Sequence, residues 1–103
     1  METVRCSDLG DDAVGAAERF RTSYVPQVIA RLKRGEDIAV VLLHASPDHA
    51  DWRRATVRDL ARAYAPARVN FTTASDVARE DRMLAYLAAA AGVTGQYLPL
   101  HHD

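Results

Sequence analysis

Segments apolar on both sides alternate along this chain with segments apolar on one. The clearest two-sided run is "DIAVVLLH", residues 37–44. There Ile38, Val40 and Leu42 point one way, and Ala39, Val41 and Leu43 the other. Successive side chains of a strand face opposite ways, so apolar residues at both parities predict a central strand of a parallel sheet covered on both faces. "ETVRC" (2–6) and "RVNFT" (68–72) predict weaker strands, and Gln96–Leu100 a last one.

Three helical segments lie between these strands. Over 12–34, Phe20, Tyr24, Val28 and Leu32 recur at every fourth residue, with Val25 and Ile29 beside them. That period predicts one long helix with a wide apolar face. Pro26 sits inside it, where a missing N–H and the ring predict a kink or a division. The second helix runs to about Tyr64, with Val57, Leu60, Ala61 and Tyr64 as its buried stripe. Arg53, Arg54, Arg58 and Arg62 are assigned to its wet side. A third helix carries Val77, Leu84, Leu87, Ala88 and Ala91 on one side.

The punctuation agrees. "SDLGDD" is turn chemistry, and Asp11 or Asp12 can cap the first helix. Ser46 is expected as N-cap of the second, with Pro47 at its first position and Asp48 near the positive end of the dipole. Ser75 or Asp76 caps the third. Lys33-Arg34-Gly35 places cations and a glycine at a helix end. "APA" (65–67) and "GVTGQ" (92–96) separate the remaining elements. Strand–helix alternation with short connections predicts one α/β domain over residues 1–103. We expect a minimal Rossmann-like parallel sheet of about four strands with three helices. Right-handed crossovers that always extend the same edge would leave one sheet face bare. The two-sided run 37–44 forbids that, so either one connection breaks the pattern, placing helices on both faces, or a partner covers the bare face.

Composition narrows the function. The 103 residues carry a net charge of −1, which leaves no electrostatic footprint for nucleic acid or an anionic membrane. Twelve arginines against one lysine, Lys33, and nineteen alanines are the signature of a GC-rich, bacterial-type coding sequence. Cys6 is the only cysteine, so no disulfide framework or cysteine-based zinc site exists. No basic region leads into an apolar run at the N-terminus, and no apolar stretch approaches the roughly 20 residues of a membrane span. The expectation is a cytoplasmic protein.

Candidate chemistry is sparse. His44, Ser46, Asp48 and His49 gather at a strand-to-helix junction, where α/β proteins place ligands. They define one reading, a small-ligand or metal site. The competing reading is a partly exposed histidine beside a capped helix. The tail His101-His102-Asp103 adds two more histidines, but no HExxH, HxH or other zinc spacing occurs. Trp52 among arginines reads as a cation–π contact, a partner anchor or a half-buried residue. The wide face of 12–34 has two readings as well. Either Phe20, Tyr24, Val28, Ile29 and Leu32, with Trp52, form an association surface, or both sides of a kinked helix pack internally.

From about residue 13 to residue 100 the pattern resembles the C-terminal half of the short-chain dehydrogenase/reductase family. "LARAYAPARVNF" (60–71) and "AYLAAAAGVTGQYL" (85–98) carry the resemblance closely, and "YVPQVIARLKRGEDIAVVLLHAS" (24–46) more loosely. The resemblance implies a last strand reached by a left-handed connection, with the third helix alone on its face. It also implies that the helices equivalent to 12–34 and 48–64 pair across a two-fold axis. Enzymes of this family hold a dinucleotide with a TGxxxGxG turn and use a YxxxK pair, the lysine lowering the tyrosine pKa. Glycines here are 10, 15, 35, 92 and 95 and make no such turn. Four residues before the only lysine stands Ile29. Counted back from Pro66, the tyrosine and lysine positions fall near Ser46 and Ala50. "TTAS" (72–75) replaces the family's PG after RVN, and Asn70 is the only asparagine. The expected function is therefore a non-catalytic module, without cofactor or metal. It would act as a homodimer or as partner of a full-length dehydrogenase-like protein, with the small-ligand site at His44–His49 as the alternative.

Overall fold

The computed structural model describes residues 1–101. The elements follow in the order β1 (Glu2–Cys6), α1 (Ala13–Arg19), a π-helical turn (Phe20–Tyr24), α2 (Val25–Lys33), β2 (Ile38–Leu42), a 3₁₀ turn (Pro47–His49), α3 (Ala50–Ala63), β3 (Val69–Thr73), α4 (Val77–Ala89) and β4 (Tyr97–Leu98). The four strands form one parallel sheet in the order β1-β2-β3-β4. Val4 lies opposite Val40, and Val40 opposite Phe71.

Strand parity shows what covers each face. Val4, Cys6, Ile38, Val40, Leu42, Val69 and Phe71 share one core with Phe20, Val28 and Leu32, and with Val57 and Leu60 of α3. Residues of the other parity meet α4. Ala39 and Val41 are buried, as is Leu87 of α4. Arg5 pairs with Glu80 of α4 at 2.7 Å. Thus α1–α2 and α3 lie on one face and α4 on the other. Each connection moves one strand in the same direction, so the last crossover has the opposite hand from the first two. No bare face remains.

The long first helix is divided, as Pro26 predicts. Pro26 lies in the first turn of α2, and the Val25 N–H reaches back five residues to the Phe20 carbonyl in a π-type turn. Of the alternative caps, Asp12 accepts from Gly15 N–H and Asp76 from Arg79 N–H. Ser46 occupies the cap position with extended backbone, but makes no cap hydrogen bond; its hydroxyl goes to the Asp48 carboxylate. Leu43 falls beyond the end of β2 and is 49% exposed, since no element covers the sheet there. Of the side expected to be apolar, α4 buries Leu87 and half-buries Leu84, whereas Val77, Ala88 and Ala91 face solvent.

The closing strand has only two ladder residues, shorter than the 96–100 expected from the sequence. Side chains extend it. The Thr72 hydroxyl donates to Leu98 O at 2.8 Å, and Thr73 Oγ1 accepts from Leu100 N–H at 2.8 Å. Asn70, fully buried, fixes the loop before it: its amide donates to Val93 O at 3.0 Å and accepts from Gln96 N–H at 3.1 Å. Thr94 accepts from Val69 N–H at 3.1 Å. Gly95 turns with φ of +72°, and a Cβ there would lie 3.1 Å from that of Ala61. The "RVN" and "TGQ" segments therefore hold each other.

Candidate functional site

A crevice of about 490 Å³ opens at the carboxyl ends of β1 and β2, where parallel α/β sheets place their ligands. Cys6 and Asp11 line it from the β1 side, His44 and Ser46 from the loop after β2, and His49 and Arg53 from the start of α3. His49 is buried, not partly exposed as the sequence suggests. Its Nε2 lies 2.8 Å from the Asp11 carbonyl, and its Nδ1 lies 3.2 Å from Trp52 Nε1. Trp52 can only donate, so Nδ1 accepts and Nε2–H donates to the carbonyl. Both ring nitrogens are engaged within the fold, and neither has a lone pair left for a metal.

Arg53 corrects the sequence reading most sharply. Assigned to the wet side of its helix, it is only 3% exposed. One guanidinium nitrogen donates to Tyr97 Oη at 2.9 Å and the other to the Leu43 carbonyl at 3.0 Å. The group sits 5.5 Å from the Trp52 ring centre and 5.6 Å from that of Tyr97, in cation–π range. Its Nε–H is buried without an acceptor. None of the ion pairs among the described residues includes it. The missed signal was periodicity: Arg53 precedes Val57 by four residues and Leu60 by seven, which places it on the buried stripe.

The remaining candidates separate. Ser46 lines the crevice, whereas Asp48 faces a shallow groove with Val14, Asp51 and Trp52. The Ser46 hydrogen bond holds the Asp48 carboxyl below its usual range. His44 is exposed at the rim. Among the described residues no three His, Cys, Asp or Glu side chains cluster as a metal site. The reading of His102 and Asp103 lies outside those residues; His101 is exposed, and its carbonyl accepts from Arg79. Burial, followed by the charge of Asp8, pushes the Cys6 thiol up to about 12 against a partial pull from Arg53. Cys6 is therefore a neutral core thiol at ordinary pH.

The set read as an association surface also divides. Phe20, Val28 and Leu32 are buried in the chain's own core, where Phe20 meets Phe71 edge-on at 5.3 Å. They offer no surface to a partner. Tyr24, Ile29 and Trp52 stay half-buried at its margin. Tyr24 donates to Asp8, a bond that pushes the phenol up to about 12. Lys33 lies at the other end of the sheet from the crevice. It lines a hollow with Asp37 and Ala67, beside the amino ends of β2 and β3.

A short parallel sheet, helices on both faces and a crevice at the carboxyl strand ends together define a Rossmann-like domain. Within that class the sequence is more particular. The chain belongs to the short-chain dehydrogenase-like family, whose sequence model, described as a short chain dehydrogenase-like protein, matches residues 4–100. Searches of the curated proteins and of the solved structures return no match. No helix of the described residues is long and apolar enough to cross a membrane.

Proposed function

We propose that this chain is a non-catalytic short-chain dehydrogenase-like module that acts by binding and association. The observation that carries the reading is the place of Lys33. Hydride-transfer chemistry of this family needs a lysine beside a tyrosine at the carboxyl ends of the strands. The only lysine of this chain stands at the amino ends. Counted back from Pro66, the positions of the pair fall near Ser46 and Ala50, and neither residue can act as its acid or supply its cation. The glycines with positive φ, Gly10, Gly35 and Gly95, belong to separate turns and do not form a phosphate cradle.

The test is an amide-shift titration of the labelled chain with NADH and NADPH. Residues 44–49 should not move, and no hydride transfer to carbonyl compounds should follow. Saturable shifts at 44–49, or turnover, would sink the proposal.

A second observation supports association. β1 is an edge strand, with Glu2, Thr3 and Arg5 exposed. Glu2 N–H bonds to Asp37 O across to β2, so Val4 and Cys6 face the same way, and Thr3 and Arg5 turn their backbone groups outward. Such a row is a template for another strand, from a second copy or from a dehydrogenase-like partner.

A further inference from the structure

We propose that the crevice at the carboxyl ends of β1 and β2 binds the oxyanion of a small carboxylate or phosphate compound, held by Arg53. The proposal rests on the binding reading above and names the ligand chemistry of the same crevice. A guanidinium is permanently charged, and burying it without a counter-charge is costly unless something compensates. Here the partners are neutral: a phenol, a carbonyl and two ring faces. They leave the positive charge unneutralised and Nε–H without an acceptor. An oxyanion in the crevice that Arg53 lines supplies the missing charge, and the planar guanidinium suits its geometry. A cavity of about 490 Å³ falls in the size range of small-molecule sites.

The other lining groups restrict how the ligand sits. His49 has both nitrogens engaged, and the Ser46 hydroxyl is committed to Asp48. Asp11 lines the β1 side, and Asp8 acts on the Cys6 thiol from the same side, so negative charge is disfavoured there. The oxyanion therefore seats on the α3 side, against Arg53, and the uncharged part of the compound points toward β1. A compound with a single anionic head fits this polarity better than a polyanion.

The experiment titrates the isotope-labelled full chain with inorganic phosphate and, separately, with sodium acetate, at ionic strength held constant with chloride. Backbone amides and the arginine side-chain Nε–H signals are followed. Saturable shifts of the Arg53 Nε–H and of amides at Cys6, Gly10 and Ala45 are expected, with a dissociation constant of about 1 mM for the better probe. Saturation by phosphate alone assigns a phosphate compound, by acetate alone a carboxylate, and by both an undiscriminating oxyanion site. Arg53→Met should abolish saturation, and Arg53→Lys should weaken it about tenfold. Linear drift with both probes, saturation centred away from the crevice, or saturation unchanged in a folded Arg53→Met protein overturns the proposal. Where that variant fails to fold, the wild-type Nε–H signal decides alone. Failure with both probes leaves the non-catalytic reading standing, whereas NADPH turnover removes that reading whatever phosphate and acetate do.

Discussion

A buried thiol titrates late, and Cys6 shows what that means for stability. Burial raises its pKa from 9.0 to about 12 in the folded chain. The folded state therefore holds its proton more tightly than the unfolded state. The resulting contribution is fully present below about pH 9 and is lost as pH rises toward the folded value, by at most about 1.4 kcal/mol per pH unit. Urea unfolding between about pH 9 and 10 should show this decline, and Cys6→Ala should flatten it. Tyr24, also raised to about 12, ordinarily ionises from 10.0 upward, so it enters later. An equally steep decline in Cys6→Ala would refute the assignment. At this same scale, chemistry was hard to read from the sequence. The charge of Arg53 points to solvent, whereas its spacing from Val57 places it inside. His49 gave no sign that a carbonyl 38 residues away, on Asp11, would meet it.

Among the elements, α4 depends on a residue outside itself. It has no basic residue in its last turn. Arg68, immediately before β3, reaches over instead and donates to Leu87 O at 2.9 Å, to Ala90 O at 2.8 Å and to Ala88 O at 3.3 Å. Asp37 orients it, accepting from Arg68 Nε at 3.2 Å and from Arg68 N–H at 2.8 Å. One guanidinium thus ties the start of β2 and β3 to the carbonyl end of the helix, where positive charge is favourable. Arg68→Ala should destabilise the fold by about 2–3 kcal/mol, with Arg68→Lys recovering only part, as measured by chemical denaturation. A loss within about 0.5 kcal/mol would show the clamp to be decorative. Element boundaries were legible where the signal was local. Pro26 announced the divided helix, and Asp12 and Asp76 stood where caps were sought. β4 is shorter than its sequence suggests because Thr72 and Thr73 bond through side chains where backbone pairing is expected.

For the whole molecule, the architecture was readable because one strand constrained it. Ala39 and Val41 could not be left wet, so either helices lie on both faces or a partner covers one, and α4, opposite α3, supplies the cover within the chain. The association reading can be tested on that scale. Thr3→Pro removes no ladder bond to β2, since the Thr3 N–H points outward, yet it denies that edge to an incoming strand. The expected outcome in sedimentation velocity is a folded monomer from Thr3→Pro and a concentration-dependent oligomer from the parent chain. A parent that stays monomeric at high micromolar concentration would remove self-association, and an oligomer that survives Thr3→Pro would move the contact elsewhere.

The solitary lysine has a practical side. Lys33 is exposed and is the chain's only side-chain amine, set at the opposite end of the sheet from the crevice. A tether or dye coupled to it reports from a single known point and leaves the crevice facing outward. Surface capture through that side chain therefore presents the carboxyl ends of the strands toward the solution.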